Sequence, residues 1–143
     1  MNVSVHFITS LILSLFLYPY LGLYALWILV GGWLIDFDHY LWTIFRIKTL
    51  SIKKSYRYHF DRHKDKHYER DLLHLFHTGE FWLFMILSSI TSYYFNQKFL
   101  FYMFTITFLG MILHISLDFT LLFRKKHTDA RAISIIAWIK RRN

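Results

Sequence analysis

The sequence predicts an all-α integral membrane protein of about four transmembrane helices, a basic helical connection and a C-terminal interfacial amphipathic helix. Composition is the first observation: 55% of the 143 residues are apolar and 21% aromatic, with only five glycines and one proline. That is too apolar for a soluble domain of this size, and the length allows one domain only. Charge placement is the second. Of 17 Lys and Arg, nine lie between Arg46 and Arg70 and seven between Arg124 and Arg142, leaving Lys98 alone. Basic blocks between long apolar runs mark cytoplasmic segments flanking membrane spans. The net charge of +8 is therefore read as attraction to anionic lipid head groups, with no nucleic-acid partner expected.

The elements follow in order. Residues 3–18 are uncharged apart from His6 and form a first, short span. They lack the basic n-region and small-residue cleavage site of a signal peptide, so this end is read as mature protein in the cell (inner) membrane. Pro19, Tyr20 and Gly22 suit a turn, or Pro19 merely kinks one long helix. Residues 23–45 form a second span, long enough for a hydrocarbon core of about 30 Å. Residues 46–71 are the basic connection, helical from about Tyr56. Residues 72–95 and 99–123 are the third and fourth spans, joined by a tight outer turn at Asn96 to Lys98. Residues 124–143 return to the basic side, with Ala132, Ile133, Ile135, Ile136 and Ile139 on one apolar face beside Trp138. That pattern fits a helix lying in the interface, with a frayed basic tail as the alternative. This arrangement puts both basic segments and the C-terminus in the cytoplasm. Tyr18, Tyr20, Tyr24, Tyr93, Tyr94 and Tyr102 fit an outer aromatic belt.

The chemistry lies in ionisable residues inside the spans, each costing about 2.5–3.5 kcal/mol on insertion scales. Asp36, Asp38 and His39 lie in the second span, His74, His77 and Glu80 in the third, and His114 and Asp118 in the fourth. Arg46 to Asp36, Arg70 to Glu80 and Arg124 to His114 are each separated by ten residues. Helical rise puts all three about 15 Å inside the basic boundary. Three helices thus deliver imidazole and carboxylate to one depth. His114 and Asp118 share a face at i, i+4, and His74, His77 and Glu80 form a slowly drifting stripe. Asp36 and His39 also share a face, but Asp38 sits about 200° from Asp36 on a regular helix. Either Gly31 and Gly32 distort this helix or Asp38 serves behind the ligands.

Separately, an Asp near a helix end, a lone His with one hydrogen bond, and a Glu in a first turn all have structural explanations. Together they suggest a site for a divalent metal, zinc first and manganese or iron next. The chain has no cysteine, so thiolate ligation is excluded. Asp36, His39, His74, His77, His114 and Asp118 are the expected ligands, around one metal or two. Glu80, as general base, and Asp38 are the expected catalytic groups. His59, His63 and His67 form an i, i+4, i+8 series on the basic connection. They make a solvated helix face or, with Arg70, a contact for a substrate head group.

Leu34-Ile35-Asp36-Phe37-Asp38-His39, the pair His77-Thr78, and His114-Ile-Ser-Leu-Asp118 resemble the motifs of the YdjM-like (LexA-binding, inner-membrane-associated) family. That family is described as metal-dependent hydrolases. The resemblance covers roughly residues 20–120, with two departures. Ile35 stands where the family has Pro, and the middle His-Arg-Gly-x-Thr-His-Ser segment is reduced to His74-Leu-Phe-His77-Thr78-Gly79-Glu80.

The resulting expectation is a membrane-embedded metal-dependent hydrolase acting on a phosphate-bearing lipid from the cytoplasmic leaflet. A non-haem di-iron acyl-chain oxidase or hydroxylase is one alternative. A metal or proton carrier, or a membrane subunit of a larger complex, is the other.

Overall fold

The computed structural model describes residues 3–62, 72–124 and 132–142. The expected contacts of His63, His67 and Arg70 lie outside those residues. Among the described residues the chain is helical, with no strand.

Helix α1, Val3–Leu21, carries Pro19 inside its last turn and ends at Gly22, whose φ is +54°. Glycine takes up that left-handed conformation without a Cβ penalty, a common way to stop a helix and redirect the chain. The redirection is a reversal. After a short 3₁₀ turn, Gly22–Leu26, helix α2, Trp27–Gly32, packs back along α1. Ser14 donates its hydroxyl to the Ala25 carbonyl at 2.9 Å, closing the hairpin. The turn thus lies at Gly22 rather than at Pro19, which is absorbed into the helix.

The second apolar run is not one helix. At Trp33 the backbone leaves helical geometry (φ −132°, ψ −49°), and a 3₁₀ turn, Leu34–Asp36, leads into α3, Phe37–Ile47. The break follows directly on Gly31 and Gly32, where α2 lies against α6, Lys98–Arg124. A Cβ on Gly31 would sit 1.8 Å from the Thr107 carbonyl oxygen. One on Gly110 would sit 2.5 Å from that of Ile28. Glycines at these positions let the two backbones touch, the way helices pack where no water is present to drive them together.

Helix α4, Ile52–Arg62, begins earlier in the connection than the expected Tyr56. The third apolar run is helical only from Gly79, as α5, Gly79–Tyr94. Before it, His74 is extended and Leu75–His77 make one 3₁₀ turn. Thr78 then caps α5, accepting from the Phe81 amide at 3.4 Å. Helix α5 turns at Asn96, in left-handed geometry (φ 53°), and packs along α6.

Helix α7, Ile135–Lys140, is short and docks at the start of α5. Ala132 donates its amide to the Leu72 carbonyl at 3.0 Å, and Gly79 donates to Ile133 at 2.8 Å. The segment is fastened to the fold rather than frayed.

The burial pattern is the reverse of a soluble core. His6, Ser10, Ser14, Thr43, Thr78, His114 and Asp118 are among the most deeply buried side chains, whereas Ile12, Leu15, Phe16, Leu83, Leu87, Ile90 and Phe119 are exposed. Among the described residues, two stretches are long and apolar enough to cross a membrane: the run Val3–Ile47, folded as the hairpin above, and Lys98–Thr120.

Candidate metal centre

Four parts of the chain meet at one end of the helices: the start of α1, the break between α2 and α3, the 72–78 segment, and the second half of α6. His114 is the centre of the meeting. A carbonyl oxygen can only accept, so the 2.9 Å contact from His114 Nδ1 to the Gly32 oxygen requires the proton on Nδ1. In the neutral ring His114 Nε2 is then the acceptor. It lies 3.2 Å from His77 Nε2, 3.3 Å from Asp118 Oδ2 and 3.4 Å from Asp36 Oδ1.

The same logic fixes His77. Its Nδ1 donates to Asp38 Oδ2 at 3.0 Å, and the Phe76 amide donates to that oxygen at 3.1 Å. His77 Nε2 therefore also points inward, toward His114 Nε2. Two imidazole nitrogens and two carboxylates converge, an arrangement that is costly unless positive charge, as an imidazolium or as a bound cation, lies among them. The separations about His114 Nε2, 3.2–3.4 Å, suit a shared ion, while His77 Nε2 lies 4.0 Å from Asp118 Oδ2. Ligands about 2.0–2.1 Å from a tetrahedral ion stand about 3.3–3.4 Å from each other. Histidine ligands tied through the outer ring nitrogen to a carbonyl or carboxylate are also the usual support of metal sites.

The sequence reading gave His6 no part, yet it is buried at the centre. Its Nε2 donates to Asp118 Oδ1 at 3.1 Å, and its ring stacks on His114 with centroids 4.0 Å apart. The signal was present as spacing. His6, Ser10 and Ser14 recur at i, i+4, i+8, a polar stripe on an apolar helix, and all three are buried. His6, His114 and Asp118 form one group able to hold a metal ion, and Asp36, His77 and His114 another. The two groups share His114.

A neighbouring group comprises Asp38, His39 and His74. His39 Nδ1 lies 2.8 Å from Asp38 Oδ1, and the His39 and His74 rings stack at 3.8 Å. The helix break explains how both aspartates serve. On a regular helix Asp36 and Asp38 would point apart. Here Asp36 ends a 3₁₀ turn and Asp38 opens α3, so each reaches a different part of the cluster. Asp38 bonds to His77 and His39, placing it as a positioning residue for the imidazoles. His74 and His77 reach the cluster from irregular backbone, not from a helical stripe.

Glu80 is not brought into the cluster. Its carboxylate accepts from the Ser134 hydroxyl and from the amides of Ile135 at 3.1 Å and Ile136 at 3.2 Å. A helix start leaves amides without intrahelical partners, and Glu80 takes two of those of α7. With both its oxygens engaged there, Glu80 ties down the C-terminal segment, replacing the expected role of general base. Glu80→Gln should therefore keep the metal content of the parent protein. It should also make residues 132–142 more susceptible to limited proteolysis. Metal loss without a change in proteolysis would contradict that placement.

No family model, curated protein or solved structure matches the chain.

Proposed function

We propose that the protein is a membrane-embedded metal-dependent hydrolase whose substrate is a phosphate-bearing lipid presented from the cytoplasmic leaflet. The observation that carries this reading is the convergence of His77 Nε2 and His114 Nε2 with Asp36 and Asp118. A divalent cation bound there would supply a water nucleophile at neutral pH and polarise the phosphoryl oxygen. The chain's own contribution is to hold that cation. Gly32 and Asp38 fix the tautomers of His114 and His77, and His6 holds the Asp118 carboxylate. Zinc is the first expectation for this His and Asp set, with manganese and iron compatible. The resemblance to YdjM-like proteins supports a hydrolytic reading through Asp36, Asp38, His39, His77, His114 and Asp118.

The membrane part of the proposal rests on exposed apolar faces around a polar interior. We read four crossings: α1, the broken run 22–47, α5 and α6. Arg46, Lys48, Lys53, Lys54 and Arg57 follow the site along α3 and α4. Their charge would steer and retain an anionic head group while the acyl chains stay in the bilayer.

Orientation can be tested apart from chemistry. With no native cysteine, single cysteines at positions 60 and 141 should resist impermeant thiol reagents added outside intact cells and react after permeabilisation. Reaction in intact cells would reverse the proposed orientation.

The functional test uses protein purified without chelator and a panel of lipid phosphates and phosphodiesters, following released phosphate or head group. Metal-dependent release is expected. Metal-loaded protein that releases nothing, but consumes oxygen with acyl chains and contains iron, would replace hydrolysis with the di-iron alternative.

A further inference from the structure

The central convergence uses His6, Asp36, His77, His114 and Asp118, and it leaves a second group of donors beside it. His39 and His74 stack with their ring planes 14° apart, and both direct Nδ1 toward one carboxylate oxygen, Asp38 Oδ1, at 2.8 and 3.8 Å. The longer distance exceeds a hydrogen bond, so His39 and His74 meet Asp38 unequally. Asp36 is the second observation. Its side chain is nine-tenths buried, and neither of its oxygens accepts a hydrogen bond. A buried carboxylate without such bonds is costly unless a cation lies beside it. Its Oδ1 stands 3.4 Å from His114 Nε2 in the central group and 3.4 Å from His39 Nδ1 in the second.

Resting on the metal-dependent reading above, we propose that the protein binds two divalent cations. The second is held by Asp38, His39 and His74, and Asp36 bridges it to the first. A carboxylate oxygen aimed between two imidazole-containing groups is the geometry of a bridge in paired sites, where metals stand about 3.5–4 Å apart. The two positions are not equivalent. His114 is fully buried, whereas the His39 side chain keeps 16% of its surface accessible. The second cation would therefore be reached from the His39 side, while His74 and Asp38 are as buried as the central ligands. Asp38 has a part in both positions. Through Oδ2 it orients His77, and through Oδ1 it ligates the second cation.

Manganese tests this without reference to turnover. The full-length protein in detergent is stripped of metal, titrated with Mn²⁺, and followed by bound equivalents and electron paramagnetic resonance. Two equivalents with an exchange-coupled signal are expected. His74→Ala should hold one equivalent with the six-line signal of an isolated ion. His39→Gln, a milder change at a partly accessible position, should do the same if the first variant fails to fold. One equivalent in the parent protein, unchanged in the variants, would overturn the second site and leave the central one standing. Two equivalents retained in both folded variants would also overturn it, since the second ion would then lie elsewhere. No bound manganese or other divalent ion would overturn the central reading together with this one.

Discussion

Under the proposed function, His114→Ala is expected to abolish metal binding at the central group and to reduce lipid-phosphate hydrolysis to background. His114 belongs to both halves of the central group, so its loss leaves neither half complete. Removing an outer partner of a metal ligand typically costs about 10–100-fold in affinity. Removing the ligand that joins the two halves should cost more. The alanine also vacates the space behind the His6 ring and frees the Gly32 carbonyl of its hydrogen bond. Some stability should therefore be lost even in metal-free protein. The measurement is metal content by elemental analysis alongside turnover and thermal stability, each compared with a stripped parent sample. Full metal occupancy in His114→Ala would place the ion elsewhere and remove the basis of the proposed function.

The all-helical class was legible because apolar runs, basic blocks and turn residues all pointed the same way. The meeting of His and Asp near one end of the helices was legible by counting residues inward from the basic blocks. Counting works only where the backbone is regular, and the site was misread where it is not. The stripe of His74, His77 and Glu80 assumed a helix from residue 72. The helix starts at Gly79, and this change in geometry sends the histidines to the cluster and Glu80 to α7. His6 was passed over for a different reason. Its partner Asp118 lies 112 residues away, and the expected turn at Pro19, Tyr20 and Gly22 does not say which helix the face bearing His6 will meet. Only the Ser10 and Ser14 repeat pointed to a buried polar face. The distortion at Gly31 and Gly32 was foreseen as one way to reconcile Asp36 with Asp38, and the break at Trp33 is that distortion. Its cause, contact of α2 with the backbone of α6, is a tertiary fact that glycine in a sequence hints at without naming the partner.

That contact leads to the largest structural effect expected here. Gly31→Ala should destabilise the protein severely and disturb the metal centre, although residue 31 carries no ligand. The new Cβ would lie 1.8 Å from the Thr107 oxygen, 2.8 Å from the Thr107 carbonyl carbon and 2.9 Å from the Met111 nitrogen. All three are backbone atoms, so no side chain can swing aside and the helices must separate. Ordinary overpacking costs about 1–3 kcal/mol, and a clash with rigid backbone on both sides should reach or exceed the upper end. Separation would also lengthen the bond from His114 Nδ1 to the Gly32 carbonyl, one residue from the substitution. The tautomer of His114 would then no longer be held, and metal affinity should fall with stability. Gly79→Ala is the matched control, since its added Cβ meets only the Ile133 oxygen at an ordinary 3.7 Å. It keeps the amide that bonds Ile133 and should leave both properties near the parent values. Denaturant unfolding in detergent, with metal content read on the same samples, measures both. A Gly31→Ala protein of parental stability and metal content would mean that α2 and α6 do not touch as described, and that the helix break and the site it shapes have another origin.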